Sequence, residues 1–268
     1  MWLDSTHDYR QLTADEQKAY SSELLKGQAR KKFGKVNRYG QYSEAIKHYL
    51  SYFPNNHICL SDIKKNQDIH SINMEFYSLV HSPQTTEQDI LRFINHIPQA
   101  YYIIASVFVA GGFKFGHHDT YLFPEFRLGN DYRADYLLIG KRSGGYEFIF
   151  IELEKSIGRT TLKDGHLGQV IRSGEFQIKD WKKWLDSNFY KLKDFFDSEK
   201  NPKEFLPAEF YEYDSTRVHY VVIGGTRDDY NDKTYEIRRR MAKEEHILML
   251  HYDNLFDSAE ELLERQTF

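Results

Sequence analysis

Three acids, Asp135, Glu152 and Glu154, interrupt or border two apolar runs, Ala134–Gly140 and Tyr146–Leu153. Carboxylates at this spacing suit a divalent cation, because oxygen-only ligands with room for water favour Mg²⁺ or Mn²⁺. A cation held there polarises a phosphoryl oxygen, lowers the pKa of an attacking water and stabilises a leaving oxygen, the chemistry of phosphodiester hydrolysis. Left uncompensated, clustered acids raise one another's pKa. The competing reading is a structural one, in which strand-end acids are bonded to Lys and Arg partners.

The elements that must position these acids are legible around them. Lys141–Gly145 is a turn signal, so the two runs form a β-hairpin. Both strands are apolar along their length, which implies burial on both faces. Side chains alternate along a strand, so Glu152 and Glu154 share a face while Leu153 turns away. Closure about Ser143-Gly144 sets Asp135 opposite Glu152, with about 5 Å between the Cβ atoms.

The rest of the chain supplies helices and further strands. A helix is predicted over Ala14–Phe33 with Thr13 as N-cap, and its Lys26–Lys32 end is basic, as the helix dipole favours. A second helix covers Tyr42–Tyr52 and stops before Pro54-Asn55-Asn56. Ser82-Pro83-Gln84 marks a boundary, and Thr85–Asp89 opens a helix with Leu91, Ile94 and Ile97 at helical spacing, ended by Pro98. Tyr101–Ala110, Arg217–Ile223 and Ile247–His251 read as further strands, and Lys163–Tyr190 as a long helix. The chain thus divides into a mainly helical region, 1–82, and an α/β (α+β) region, 83–268, with a mixed central sheet flanked by helices.

Composition narrows the function classes. A net charge of −4 is not that of a protein that binds nucleic acid through global charge, although local bases still can. The single cysteine, Cys59, excludes an intramolecular disulfide and a cysteine zinc cluster, and fits a reducing cytoplasm. Met1–Arg10 is polar and charged, unlike a signal peptide. No apolar run approaches the roughly 20 residues of a membrane span. The 20 Tyr and 19 Phe read as packing residues before stacking platforms. His117-His118-Asp119 and His166 are secondary metal-ligand candidates, and Arg238-Arg239-Arg240 with Lys243 is a basic cluster more in keeping with a solvated helix face than a phosphate site. Gly224-Gly225-Thr226-Arg227 lacks the lysine and spacing of a P-loop.

Four features occur in a telling order: the Asp135…Glu152-Leu153-Glu154 hairpin, Gln177-Ile178-Lys179-Asp180-Trp181, Tyr220-Val221-Val222-Ile223-Gly224-Gly225 and Tyr252-Asp253-Asn254-Leu255. Together, over about Thr85–Leu263, they resemble the nuclease domain of the Shedu anti-phage system, within the PD-(D/E)XK superfamily. The resemblance implies metal-dependent DNA cleavage in bacterial defence against phage, by a homo-oligomer, dimer or tetramer. It makes Asp135 and Glu152 the metal-binding acids, puts Glu154 in the place of the usual catalytic Lys, and makes Gln177 the helix Gln. Gln169, Ser173, Gln177 and Trp181 recur every four residues on that helix. Glu125 is a fourth acid candidate, since nucleases of this class often carry an acid ahead of the hairpin. The departure is Glu-x-Glu in place of Glu-x-Lys: Glu154 then acts as a general base or further metal ligand, or marks a site without activity. Lys155, one residue later, substitutes only if the strand ends or bulges at Glu154. The alternative is a non-catalytic nucleic-acid- or protein-binding module with a degenerate site. Residues 1–82 fall outside the resemblance, and a regulatory or DNA-sensing role for them is what it implies.

Overall fold

The structure, a computed structural model, describes residues 7–29, 42–65, 67–115 and 119–268. Its centre is the expected hairpin. Strand β2 (Tyr132–Arg142) pairs antiparallel with β3 (Gly145–Leu153), from Tyr136↔Ile151 to Arg142↔Gly145, leaving Ser143-Gly144 as the loop. Two further strands, β4 (Val218–Ile223) and β5 (Ile247–Leu250), add parallel to β3 and to each other. A strand not expected from the sequence, β1 (Thr120–Leu128), pairs antiparallel with β2 and completes the order β1-β2-β3-β4-β5. Pro124 breaks the apolar pattern of that segment, as a proline does on an edge strand. The outer edge of its first half is covered: the Ile58 N–H donates to Thr120 O at 3.0 Å and the Leu122 N–H to Asn56 O at 2.9 Å.

Helices cover both faces. On one lie α4 (Ile69–Val80), α5 (Glu87–His96) and α11 (Tyr252–Glu264), packed on Tyr136, Leu138, Ile149, Ile151 and Val221. On the other lie α8 (Gln169–Asn188), α9 (Lys193–Glu199) and α10 (Asp232–Arg240), packed on Leu137, Ile139, Phe148, Phe150 and Val222. The alternation along β2 and β3 divides these side chains between the two cores, as the two-residue period of a strand requires. The mixed sheet with flanking helices is the fold class expected.

The run Tyr101–Ala110 is a correction. It forms two short helices, α6 (Tyr102–Ala105) and α7 (Val107–Ala110), where a strand was expected. Every residue from Tyr102 to Val109 is buried, so the segment carries no amphipathic stripe, and a wholly apolar run does not distinguish strand from helix by its period.

Near the start, α1 (Ala14–Ala29) is capped as expected, with Glu16 N–H donating to Thr13 Oγ1 at 3.3 Å and Thr13 N–H to Glu16 Oε2 at 2.8 Å. The end expected at Phe33, the basic stretch Lys26–Lys32 and the His117-His118 pair lie outside the described side chains. The second helix is shorter than expected, α2 (Glu44–Tyr49), and is followed by α3 (Leu60–Ile63). Ile58, Leu60, Ile63, Ile72 and Phe76 enter the same core as the sheet, and Asn73 reaches Glu260 of α11 at 2.7 Å. Residues on both sides of the boundary expected at Ser82-Pro83 therefore share one core. Thr86 and Asp89 form a full capping box on α5, which ends at His96 with Ile97 as C-cap, before Pro98. Among the described residues, no helix is long and apolar enough to cross a membrane.

Candidate active site

The acids gather where the hairpin ladder runs out. One step beyond Tyr136↔Ile151, Asp135 stands across from Glu152. Its Oδ2 accepts the Leu153 N–H at 2.7 Å, which fixes the carboxylate against the end of β3. The neighbouring edge is distorted at the same level: β1 pairs through Pro124↔Tyr136 and resumes at Phe126↔Ala134, while Glu125 between them takes a left-handed φ of 49°. A non-glycine residue held there costs about 1–3 kcal/mol, and such strain persists where surrounding structure imposes it.

Glu154 lies just past the last residue of β3 and is clamped by its backbone. Its N–H donates to Ile223 O at 2.8 Å, and its carbonyl accepts the Tyr252 hydroxyl at 2.7 Å. Glycines make room for its side chain. A Cβ on Gly174 of α8 would lie 3.1 Å from Glu154 Oε1 and 2.7 Å from Val222 Cγ2, so only glycine lets the helix come this close to the strand end.

Burial sets the electrostatics. Glu152 is 5 % exposed and Glu154 8 %. Desolvation, then the charges of Asp135, Glu154 and Glu87, push Glu152 up to about 10. Asp135 rises to about 7, first through burial and then through Glu87, against the stabilising Leu153 N–H. Glu154 rises to about 7 through burial and then Glu87. Glu152 Oε2 is buried without a hydrogen-bond partner. None of the three acids has a Lys or Arg within ion-pair distance among the described residues, which removes the salt-bridged structural reading.

Glu87 is the residue that sequence reasoning missed. It opens α5 from the opposite face of the sheet, and its charge bears on Asp135, Glu152 and Glu154 alike. Its own carboxyl is raised by burial. Within the sequence it passed for an ordinary first-turn acid of a capped helix. Glu125, the acid candidate chosen instead, is exposed and ion-paired with Arg133 at 2.8 Å, and its charge raises Asp135 less than that of Glu87 does. Glu87→Gln is expected to lower the raised carboxyl titrations of Asp135, Glu152 and Glu154 as read by NMR, whereas Glu125→Gln moves that of Asp135. Titrations of Glu152 and Glu154 that do not move in Glu87→Gln would remove Glu87 from the cluster.

Gln177 arrives from α8 on the other face and favours the charged form of Glu152. Gln169, Ser173 and Gln177 are exposed while Trp181 is fully buried. A step of four residues advances about 40° beyond a full turn, so three steps carry the stripe from solvent into the core. Lys155 meets the condition set for it. β3 ends at Leu153, Lys155 is exposed, and its charge favours the ionised forms of both Glu87 and Glu154. Asp119 instead pairs with Lys141 at 3.4 Å near the turn end of the hairpin, and His166 sits exposed in a loop. Arg238, Arg239 and Arg240 close the last turn of α10, where the helix dipole favours cations.

Among the described residues, no three His, Cys, Asp or Glu side chains close into a ready metal cage. A hard cation such as Mg²⁺ does not require one, since it takes one or two carboxylates and keeps several waters. Asp135 and Glu152, with the orphaned Oε2 of the latter, fit that donor set.

No curated protein matches the chain. A family model described as "Shedu protein SduA, C-terminal" matches residues 84–256, which take in all five strands, Glu87, the three hairpin acids and Gln177. The chain therefore belongs to the Shedu SduA C-terminal family, that of the Shedu-type anti-phage defence proteins.

Proposed function

We propose that the chain is a metal-dependent DNA endonuclease that hydrolyses phosphodiester bonds. The observation that carries this reading is the buried Glu152 carboxylate, whose Oε2 has no hydrogen-bond partner, surrounded by Asp135, Glu154 and Glu87 with no ion-paired cation. A fold keeps such a cluster of like charges where a bound cation offsets it. Asp135 and Glu152 would hold Mg²⁺ or Mn²⁺, which supplies charge to the phosphoryl oxygen and acidity to a bound water. Glu154, raised to about 7, is poised to accept a proton from the attacking water near neutral pH. Lys155 offers positive charge beside Glu154, the role that the usual Lys plays one residue earlier. Gln177 orients Glu152 and offers a neutral donor to water or phosphate.

DNA is the proposed partner, a dimer or tetramer the proposed assembly, and the cytoplasm the proposed compartment. The test is cleavage of linear and circular DNA with Mg²⁺ or Mn²⁺. A second reading, a DNA- or protein-binding module with a degenerate site, draws on Glu at position 154 and the lack of a ready three-ligand cage. Calorimetry separates the two: Mg²⁺ or Mn²⁺ binding that depends on Asp135 belongs to the nuclease, and its absence to the binding module.

A further inference from the structure

Beside Glu154, a cavity of about 380 Å³ opens between the loop after β3 and the first turns of α8. Its volume is within the range of sites for small molecules and nucleotides, about 300–1,000 Å³. Lys155, Arg159, Gln169 and Ser173 line it together with Glu154 and the exposed Ile157. Lys155 and Arg159 are exposed, and neither has a carboxylate within ion-pair distance among the described residues. Many other cations of the chain are so paired, among them Lys47, Arg133, Lys179 and Arg227.

The loop that carries these two cations is anchored at both ends. Gly225 N–H donates to Lys155 O at 2.9 Å, and Gly168 N–H donates to Thr160 O at 2.8 Å. The Thr160 hydroxyl donates to Asp229 O at 2.6 Å. Gly158, at φ 145°, and Gly168 let the loop lie against α8: a Cβ on Gly168 would fall 1.8 Å from Arg159 O. Ser156 and Thr160 are turned inward, so Lys155, Ile157 and Arg159 are presented outward.

A polyanionic strand cannot approach four acids unless its neighbouring phosphates meet fixed positive charge, because the acids repel every phosphate that the cation does not neutralise. We infer that this cavity is a substrate subsite, holding a DNA backbone phosphate next to the scissile one, with Arg159 as its principal ligand, Lys155 beside it, and Gln169 and Ser173 as neutral donors. The assignment rests on the nuclease reading for its substrate class. Guanidinium suits the role, since its planar fork binds two phosphate oxygens at once.

Binding of a labelled DNA duplex, measured by anisotropy in Ca²⁺ across a salt series, tests the subsite without requiring cleavage. Arg159→Ala is expected to weaken binding about tenfold at low salt and to reduce the log–log salt slope by about 1, as loss of one phosphate contact does. Lys191→Ala is the control, being exposed just past the far end of α8, which is about 30 Å long. Ser173→Trp, which plugs the cavity from α8, is expected to weaken binding with Arg159 intact. Unchanged affinity and slope in Arg159→Ala overturn the subsite even where cleavage confirms the nuclease. Arg159-dependent DNA binding without cleavage keeps the subsite and removes the nuclease. Wild type that binds no DNA, or that shows Arg159-dependent binding to RNA in preference to DNA, also overturns it.

Discussion

Under the proposed nuclease function, Asp135→Ala and Glu152→Ala are each expected to lower DNA cleavage by about 10³-fold or more, the scale on which loss of preorganised charge stabilisation and of a catalytic cation shows in kcat. Both side chains stand at the end of the β2–β3 ladder, and the orphaned Glu152 Oε2 leaves an oxygen free for a cation. The expectation is a loss in kcat with the fold intact, because each substitution removes a buried carboxyl that is costly to ionise in this site. Thermal unfolding of the metal-free variants checks this: neither melts well below wild type. Glu154→Gln behaves differently. It keeps the shape of the side chain beside Gly174 and Gly224 and is expected to cost about 10²-fold, the lower range for general acid–base catalysis. It should also abolish the rise of kcat/KM with pH near 7 that the raised Glu154 carboxyl implies. Cleavage within tenfold of wild type in both alanine variants would sink the metal site as drawn.

How much of this was readable from the sequence depends on which physical signal carries each residue. The hairpin was legible because a two-residue loop fixes the register by itself, and the register then fixes Asp135 opposite Glu152. The order of acids, helix Gln and later strands was enough to name the family. Glu87 was not legible. It lies 48 positions before Asp135 and joins the acids only because α5 packs across the opposite face of the sheet. No local pattern separates such an acid from the many that begin helices. The strand β1 was hidden by Pro124, and the α6–α7 pair by its burial on every side. The subsite escaped for a related reason. Lys155 and Arg159 look like ordinary loop cations until the glycines at 158 and 168 bring the loop against α8.

The second large effect is on stability, and its sign follows from the raised carboxyls. Glu152 is held at about 10, against an ordinary 4.5. Asp135 and Glu154 are both held at about 7, against 3.8 and 4.5. Between the ordinary and the raised value, the folded chain keeps protons that the unfolded chain has released. Stability therefore falls as pH rises through that window, and the contribution is fully present only below the unfolded values. Metal-free protein is expected to melt at progressively lower temperature from pH 5 to pH 9. Asp253 and Asp8, both lowered to about 2, act in the opposite sense, but only below about pH 4. At pH 8 a divalent cation takes the place of the protons. With Mn²⁺ at a hundredfold excess over its Kd the gain is about 2.7 kcal/mol. In a chain of this size that raises Tm by about 5–10 °C. Glu152→Gln uncouples the two effects. It is expected to melt above metal-free wild type at pH 8, to show a shallower pH dependence, and to lose most of the Mn²⁺ shift. Scanning calorimetry of both proteins, with and without Mn²⁺, decides the matter. A wild-type Tm that is flat from pH 5 to pH 9, or an Mn²⁺ shift that survives in Glu152→Gln, would mean that the acids are satisfied by the protein itself and that no cation belongs among them.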